Sequence, residues 1–234
     1  CRNEITFTPN YNLADLPIKD TLEDVLEIPV WLENEANLSA LAEKTFVENH
    51  KNLIHVSIHA GVGAGIILDH HLYTGLAGTA GEAGHMIVQP GGRSCPCGNH
   101  GCLEQYISEP AVLSRYRELS GRTTVSIDDL VWSYNQKEAD ALAVVDEFTT
   151  YLACGINNLW NLFSPECIIL NSQLTAYLPQ LLPEILQKLS ARFRATCQLK
   201  LSTLQDTGVL LGAARVCISK YLGIEKLYFS GFQP

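Results

Sequence analysis

The sequence predicts an α/β fold, because short apolar strands alternate with long helices along the chain. Two further observations support a packed domain of this class. Hydrophobic residues make up 47% of the 234 residues, which is enough to bury a sizeable core. No apolar run approaches the roughly 20 residues that a membrane-spanning helix needs. We therefore expect a globular α/β domain with no membrane partner.

The first fifty residues contain three predicted elements. Thr21 is the expected N-cap of a short helix over residues 21–26, whose first turn is acidic. A strand is expected over residues 28–32, which contain a proline near their start. Residues 36–46 predict a helix, because their apolar side chains recur on one helical face.

Residues 53–68 predict a β-hairpin. An apolar strand over 53–59 is followed by the glycines of 61–65 and by a second strand over 66–68. Glycine gives the backbone the freedom that a tight bend requires, so we expect the bend at 61–65. Residues 73–105 are glycine-rich and irregular, and they carry most of the candidate chemistry.

The rest of the chain is mostly helical. Helices are predicted over 111–119, 127–134, 139–162, 178–193 and 209–222. Residues 165–170 predict a turn followed by a buried strand, and a last strand is expected over 199–203. The long apolar helices at 139–162 and 178–193 leave ample surface for an oligomer. The chain opens with no visible βαβ unit, as expected of the later part of a larger protein.

The net charge and the first residues of the sequence indicate which partners and which cellular location to expect. The net charge is −9 and no basic patch of any length is present, so this stretch is not expected to bind nucleic acid itself. The first residues are polar and charged, unlike a signal peptide. We therefore expect a cytoplasmic location, where cysteines stay reduced.

Three of the eight cysteines cluster within eight residues. Cys95, Cys97 and Cys102, together with an upstream histidine, would form a tetrahedral Cys3His set, which suits a structural zinc ion. His85 and His100 both lie close enough in sequence to supply the imidazole. The alternative is a group of buried free thiols. Four others, at positions 154, 167, 197 and 217, lie in apolar surroundings and are expected to pack as small hydrophobic residues.

Polar residues flank this segment and follow the strand predicted at 28–32. Glu82 and Glu104 bracket the metal-ligand candidates, so a metal that folds the loop would bring both carboxylates together. Carboxylates and amides recognise sugar hydroxyls through hydrogen bonds at fixed positions. The alternative is that both are solvated acids. Asn34 and Glu35 follow the strand, where ligands bind in α/β sheets, although Asn34 is also a good helix cap.

Taken together, these motifs resemble the ROK family (repressors, open reading frames and sugar kinases). The glycines of 58–66, then Gly75, Gly81, Gly84 and His85, follow that family's signature. The CxCGxxGCxE segment at 95–104 follows at the family's spacing, residues 34–37 are similar to its NDxN motif, and 165–170 and 211–214 match its C-terminal pattern. The resemblance covers essentially the whole chain.

The resemblance implies an actin-like (ribonuclease H-like) fold with a sugar between two lobes. Residues 1–50 would be the remnant of an incomplete N-terminal lobe. Residues 51–234 would form the C-terminal lobe, with a zinc loop at 82–104 and a helical oligomerisation surface. The implied sugar-binding residues are Asn34, Glu35, Gly61, Glu82, His85 and Glu104. His85 would bind zinc through one ring nitrogen and the sugar through the other, which favours it over His100.

The sequence differs from the kinases of the family at the catalytic base and at several positions that bind the nucleotide. Glu35 stands where those kinases have a catalytic aspartate, and its carboxylate reaches further out. The family's Gly-Thr-Gly turn is replaced by His59-Ala60-Gly61, and a glycine pair that admits adenosine is replaced by residues 171–173. The first phosphate loop of the family is absent from this chain, whereas the sugar and zinc features persist.

This selective loss predicts a sensor rather than an enzyme. The expected function is the effector-binding region of a transcriptional repressor, similar to the N-acetylglucosamine and xylose repressors, with a monosaccharide or amino sugar as effector. The resemblance implies a homodimer or homotetramer, and DNA binding only through an N-terminal helix-turn-helix that this chain lacks. One alternative is a sugar kinase that uses ATP and Mg²⁺ with Glu35 as base. Another is a protein-docking domain regulated by a carrier protein.

Overall fold

A computed structural model describes residues 5–8, 13–224 and 227. The first elements are a small antiparallel pair, β1 (Ile5–Thr8) and β2 (Leu13–Leu16). The main sheet contains β3 (Leu53–Ile58), β4 (Val62–Leu68), β5 (His71–Leu72), β6 (Cys167–Ser172) and β7 (Gln198–Leu201). Its strand order is β5-β4-β3-β6-β7. Strands β3, β4 and β5 form an antiparallel meander, whereas β3, β6 and β7 are parallel. The predicted α/β fold is confirmed.

Ten α-helices accompany these strands in the described residues. They are α1 (Ile18–Leu26), α2 (Glu35–Ala42), α3 (Glu104–Ile107), α4 (Glu109–Ser120), α5 (Ile127–Asn135), α6 (Ala139–Phe163), α7 (Gln173–Tyr177), α8 (Leu181–Lys188), α9 (Ala191–Thr196) and α10 (Thr207–Leu222). Helix α2 continues directly into a π-helical turn, Glu43–Val47.

The alternation of side chains along β3 divides the core into two layers. Ile54, Val56 and Ile58 face the larger cluster, which α6 and its neighbouring helices cover. Leu53 faces a smaller cluster, to which α2 contributes Ala40 and Leu41. Because both faces are covered, all six residues of β3 are buried.

Two glycines allow helix α2 to pack closely on both of its sides. A Cβ atom at Gly65 of β4 would lie 2.2 Å from the carbonyl oxygen of Ala36. A Cβ atom at Gly212 of α10 would lie 2.0 Å from the carbonyl oxygen of Leu38. Real Cβ atoms do not approach an oxygen this closely, so only glycine fits at either position. The start of α2 is therefore held firmly against the sheet.

The structure corrects several sequence-based predictions. Residues 28–32 form no strand. Helix α1 begins at Ile18 after Pro17, and the Thr21 hydroxyl donates a hydrogen bond to the Pro17 carbonyl instead of capping the helix. The hairpin bends at 59–61 and not within 61–65, because β4 already begins at Val62. Gly65 lies inside β4, where the lack of a side chain allows close packing against α2.

The single helix predicted over 178–193 is also wrong. Instead, α7 ends at Tyr177, α8 covers Leu181–Lys188 and α9 covers Ala191–Thr196. The apolar residues recur with a helical period across the whole segment because the separate short helices bury their apolar faces against the same core. The periodicity therefore could not show where one helix ends and the next begins. Pro179 interrupts the first junction, and Ser190 caps α9 by accepting a hydrogen bond from Phe193 N.

The division into lobes at residue 50 stays a prediction, as does the oligomerisation surface. Helix α2 precedes residue 50 but packs against β3 and β4. On the helical side, Leu142 and Leu162 of α6 are exposed. None of the helices in the described residues combines the length and apolar character that crossing a membrane requires.

Candidate functional site

A cavity of about 250 Å³ opens where the carboxyl end of β3 meets the start of α2. Its lining includes every residue predicted to bind sugar: Asn34, Glu35, Gly61, Glu82, His85 and Glu104. It also includes residues that the prediction did not assign to sugar: Ala36, His59, Ala60, Val62 and Gly63. Four separate segments of the chain therefore converge on one cavity.

Three carboxylates line the cavity, those of Glu35, Glu82 and Glu104, and Glu104 is the one that is buried within a helix start. It is the first residue of α3 and is buried. Its Oε2 accepts a hydrogen bond of 3.2 Å from the backbone amide of Val62, at the start of β4. A buried carboxylate that accepts such a hydrogen bond has a fixed orientation. The other oxygen of Glu104, Oε1, makes a long contact of 3.5 Å with Gln105 Nε2.

The start of α2 supplies the opposite side of the cavity. Asn34 caps the helix, because its Oδ1 accepts a 2.8 Å hydrogen bond from Ala36 N. The capping interpretation is therefore correct, and Asn34 lines the cavity as well. Glu35 Oε1 accepts a 2.8 Å hydrogen bond from the Ser57 hydroxyl, on buried strand β3. The Glu35 carboxylate is thus tied to the sheet.

A cluster of four metal-ligating side chains adjoins the cavity. The ligand atoms of His85, Cys95, Cys97 and Cys102 all lie within 4.8 Å of one another. Cys95 Sγ lies 3.6 Å from His85 Nδ1, and Cys97 Sγ lies 3.7 Å from Cys102 Sγ. His100, the rival imidazole, is not part of the cluster and is exposed. The cluster could hold a metal ion.

Two of the separations within the cluster fit tetrahedral zinc. With Zn–S bonds of about 2.3 Å and a Zn–N bond of about 2.05 Å, tetrahedral ligands stand roughly 3.8 Å apart for two sulfurs and roughly 3.6 Å for sulfur and nitrogen. Both observed separations match these values. Burial raises the pKa of Cys102 to about 12, so a bound cation is what would hold this thiol as a thiolate at neutral pH.

His85 joins the cluster to the cavity. Its Nδ1 faces Cys95 Sγ, while its Nε2 lies 4.0 Å from Glu82 Oε2. Both residues belong to the short turn at 82–85 and line the cavity. An imidazole that binds a metal through Nδ1 keeps its proton on Nε2, which makes that nitrogen a hydrogen-bond donor toward the cavity.

Arg93 anchors the cysteine-containing loop to helix α6. Its guanidinium donates to Glu147 of α6 and, at 2.8 Å, to the Gln105 carbonyl. The same guanidinium lies 4.5 Å from the ring centre of Tyr106, which stacks on Tyr151 at 4.0 Å. The metal cluster, the start of α3 and the long helix are therefore linked by continuous contacts.

The prediction missed His59 as a wall of the cavity. His59 directly follows β3, and its Nδ1 lies 3.6 Å from Glu109 Oε1. Its departure from the family's Gly-Thr-Gly turn was the signal that could have found it. Glu35, Glu82 and Glu104 give the cavity an acidic lining, and no lysine or arginine of the described residues lines it.

Comparison with known proteins decides the family. The family model for ROK matches residues 2–220. The chain belongs to the ROK family. Among curated ROK relatives, the xylose repressor of Bacillus spizizenii is 35% identical over 230 residues, covering 96% of this chain and 59% of the repressor. The glucokinase of Halalkalibacterium halodurans is 32% identical over 224 residues, covering 87% of this chain and 68% of the enzyme.

Solved ROK structures share the fold. A ROK family transcriptional regulator, homologous to the E. coli MLC protein, superposes with a TM-score of 0.80 at 28% identity, covering 95% of this chain and 60% of that one. A glucokinase from Streptomyces griseus, in complex with glucose and AMPPNP, gives 0.80 at 25% identity, covering 91% and 76%. The actin-like ROK fold is confirmed. The chain spans between 47% and 60% of the length of the xylose repressors that it matches, 59% for the first.

Proposed function

We propose that this chain is the sugar-sensing, effector-binding region of a ROK transcriptional repressor, with zinc at the Cys3His cluster. One observation carries the proposal: all six residues implied to bind sugar surround one cavity beside the metal-ligating cluster. The similarity to xylose repressors over nearly the whole chain supports the repressor branch of the family. The effector would be a monosaccharide or an amino sugar.

The polar groups of the cavity suit an uncharged, hydroxyl-rich ligand. The carboxylates of Glu35, Glu82 and Glu104 accept hydrogen bonds from sugar hydroxyls, and Nε2 of His85 donates one. The backbone of Gly61 offers a further contact without a side chain in the way. Because these groups come from four segments of the chain, the cavity recognises a particular arrangement of hydroxyls rather than a single one.

Zinc would act on this cavity indirectly. A metal bound by His85, Cys95, Cys97 and Cys102 cross-links the turn at 82–85 to the loop that leads into α3. Four protein ligands close the coordination sphere, which is typical of structural rather than catalytic zinc. The metal would therefore position Glu82, His85 and Glu104 relative to one another.

Sensing requires two arrangements of the protein that bind the sugar differently. The sugar shifts the balance only by its difference in affinity for the two arrangements. In the repressor that we propose, the shift would change the spacing of N-terminal helix-turn-helix modules in a homodimer or homotetramer in the cytoplasm.

A sugar kinase is the second candidate, because Glu35 lines the cavity and glucokinases are among the relatives. Two features weigh against it. The Glu35 carboxylate accepts a hydrogen bond from Ser57, and three carboxylates would repel the phosphates of ATP where kinases usually place cations.

Isothermal titration calorimetry tests the proposal. Xylose, glucose, N-acetylglucosamine and N-acetylmannosamine are titrated into zinc-loaded protein with and without Mg-ATP, and ADP release is measured in parallel. We expect saturable binding of at least one sugar, no dependence on ATP and no ADP release. A Glu82→Gln variant should weaken binding, whereas the exposed control Asp128→Asn should not. Sugar-dependent ADP release would establish the kinase instead, and an absence of binding by every sugar would contradict both candidates.

A further inference from the structure

A second cavity of about 280 Å³ lies beside the first. His59 lines both cavities, so the two lie next to each other at this residue. Its Nδ1 faces Glu109, and the backbone amide of Glu109 donates a 2.9 Å hydrogen bond to the His59 carbonyl. The two cavities have similar volumes, and His59 is the one residue that their linings share.

The second cavity lies at an edge of the sheet suited to ligands. Strands β3 and β6 are parallel neighbours, and Ile58 pairs with Ser172 at their carboxyl ends. His59 follows the first of these strands, and Gln173 follows the second. The crevice outside the carboxyl ends of adjacent parallel strands is the usual ligand position in α/β sheets.

The lining of this cavity is polar but offers no cation. It contains the amides of Asn171 and Gln173, the hydroxyl of Ser172 and the phenol ring of Tyr177. Its charged members are both acidic, Glu109 and Asp206, and no lysine or arginine of the described chain lines it. Proteins bind phosphate groups with lysine or arginine side chains or with clusters of backbone N–H groups. The acidic side chains of this lining therefore disfavour a nucleotide or a sugar phosphate. Amides, hydroxyls and an aromatic face suit a neutral polyhydroxylated group.

We propose that the second cavity is a subsite for the second ring of a neutral disaccharide whose first ring occupies the cavity at Glu82 and Glu104. This inference rests on the proposed sugar-sensing function and extends it to the size and charge of the effector. The glycosidic linkage would pass beside His59, which lines both cavities.

Two residues of α7 are available to recognise the second ring. Tyr177 is 48% exposed and lines the second cavity, so part of its side chain is accessible to a sugar ring. Gln173 is exposed, and its Nε2 makes only a long contact of 3.4 Å to the Tyr177 hydroxyl, so its amide can turn toward a ligand. Neither side chain belongs to the core, so both can be replaced without creating a cavity in it.

The test compares monosaccharides with their disaccharides by calorimetry on the zinc-loaded, full-length protein. The probes are xylose with xylobiose, and glucose with the α- and β-linked glucose disaccharides; glucose 6-phosphate serves as the charged probe. Tyr177→Ala is the subsite variant. Tyr221→Ala is its matched control, because Tyr221 is 86% exposed and lines neither cavity.

We expect at least one disaccharide to bind roughly tenfold or more tightly than its monosaccharide. Tyr177→Ala should remove this advantage and leave monosaccharide affinity within about twofold, while Tyr221→Ala changes neither. Monosaccharide binding without any tighter disaccharide overturns the subsite and leaves the sugar-sensing proposal intact, and tighter binding of glucose 6-phosphate than of glucose overturns the neutral class. If neither monosaccharides nor disaccharides bind, the proposed function fails and the subsite fails with it.

Discussion

Substitution of Gly65 by alanine should damage both the stability of the protein and its sugar site. The added Cβ would lie 2.2 Å from the Ala36 carbonyl oxygen and 2.5 Å from the Ala40 Cβ. Ordinary contacts at such atoms are roughly 3.3–4.0 Å, so α2 must retreat from β4 by about 1 Å. The obstacle is helix backbone, which cannot rotate away as a side chain would.

The cost follows from this geometry. Overpacking of a tight interface costs about 1–3 kcal/mol, and the rigid backbone contact places Gly65→Ala in the upper half of that range. Replacing glycine by alanine returns about 0.4–1 kcal/mol through the unfolded chain, so we expect a net loss of about 2 kcal/mol. For a chain of this size the Tm would fall by roughly 4–8 °C. A shift of about 1 Å at Asn34 and Glu35 should also weaken sugar binding by tenfold or more.

Denaturant unfolding and calorimetry with the best-binding sugar measure both effects. Gly63→Ala is the comparison, because its Cβ would meet only the Ala36 Cβ at 3.3 Å, and we expect less than about 1 kcal/mol of destabilisation there. If Gly65→Ala were as stable as the unmodified protein and bound sugar equally well, the inferred close packing of α2 against β4 would be refuted.

Three further predictions concern the metal, a buried acid and the cavity. Cys97→Ser should raise the Kd for zinc roughly a hundredfold or more, measured by competition with a chelator, whereas the exposed thiol variant Cys217→Ser should bind one zinc normally. Burial raises the pKa of Glu43 from 4.5 to about 7, so its native form binds a proton that the unfolded chain releases. Stability from this group should therefore fall by up to about 3 kcal/mol as the pH rises from about 4.5 to 7, and denaturant unfolding should show no such fall in Glu43→Gln. Glu104→Gln removes a charged acceptor that is fixed by Val62 N, and calorimetry should show about 1.5–3 kcal/mol weaker sugar binding at an unchanged Tm.

Strands and helices with strong patterns could be predicted from the sequence. The buried run at 53–58 and the long helix α6 have the expected type and nearly the expected bounds, because composition and periodicity agree there. The hairpin bend was misplaced because Gly65 is needed for its missing side chain against α2 and not for its backbone angles. That reason depends on a neighbour distant in sequence, which no local pattern contains.

The residues that form the candidate site could be named from the sequence, although their roles stay predictions. Metal-ligating residues have a distinctive chemistry and spacing, so the Cys3His cluster could be proposed before any coordinates, and the choice of His85 came from the family resemblance. The sugar-binding set also came from the resemblance, and its residues do surround one cavity. The changed turn at His59 was visible in the sequence, but the second cavity could not be predicted, since it depends on how β3, β6 and α4 meet.

The central claim is that the metal cluster positions the residues that bind sugar, and sugar affinity with and without metal tests it most directly. Calorimetric titration of the best-binding monosaccharide is carried out on zinc-loaded protein, on chelator-treated protein and on treated protein reloaded with zinc. We predict one binding site per chain, at least tenfold weaker binding after zinc removal, and recovery on reloading. Equal affinity in all three samples would contradict the account.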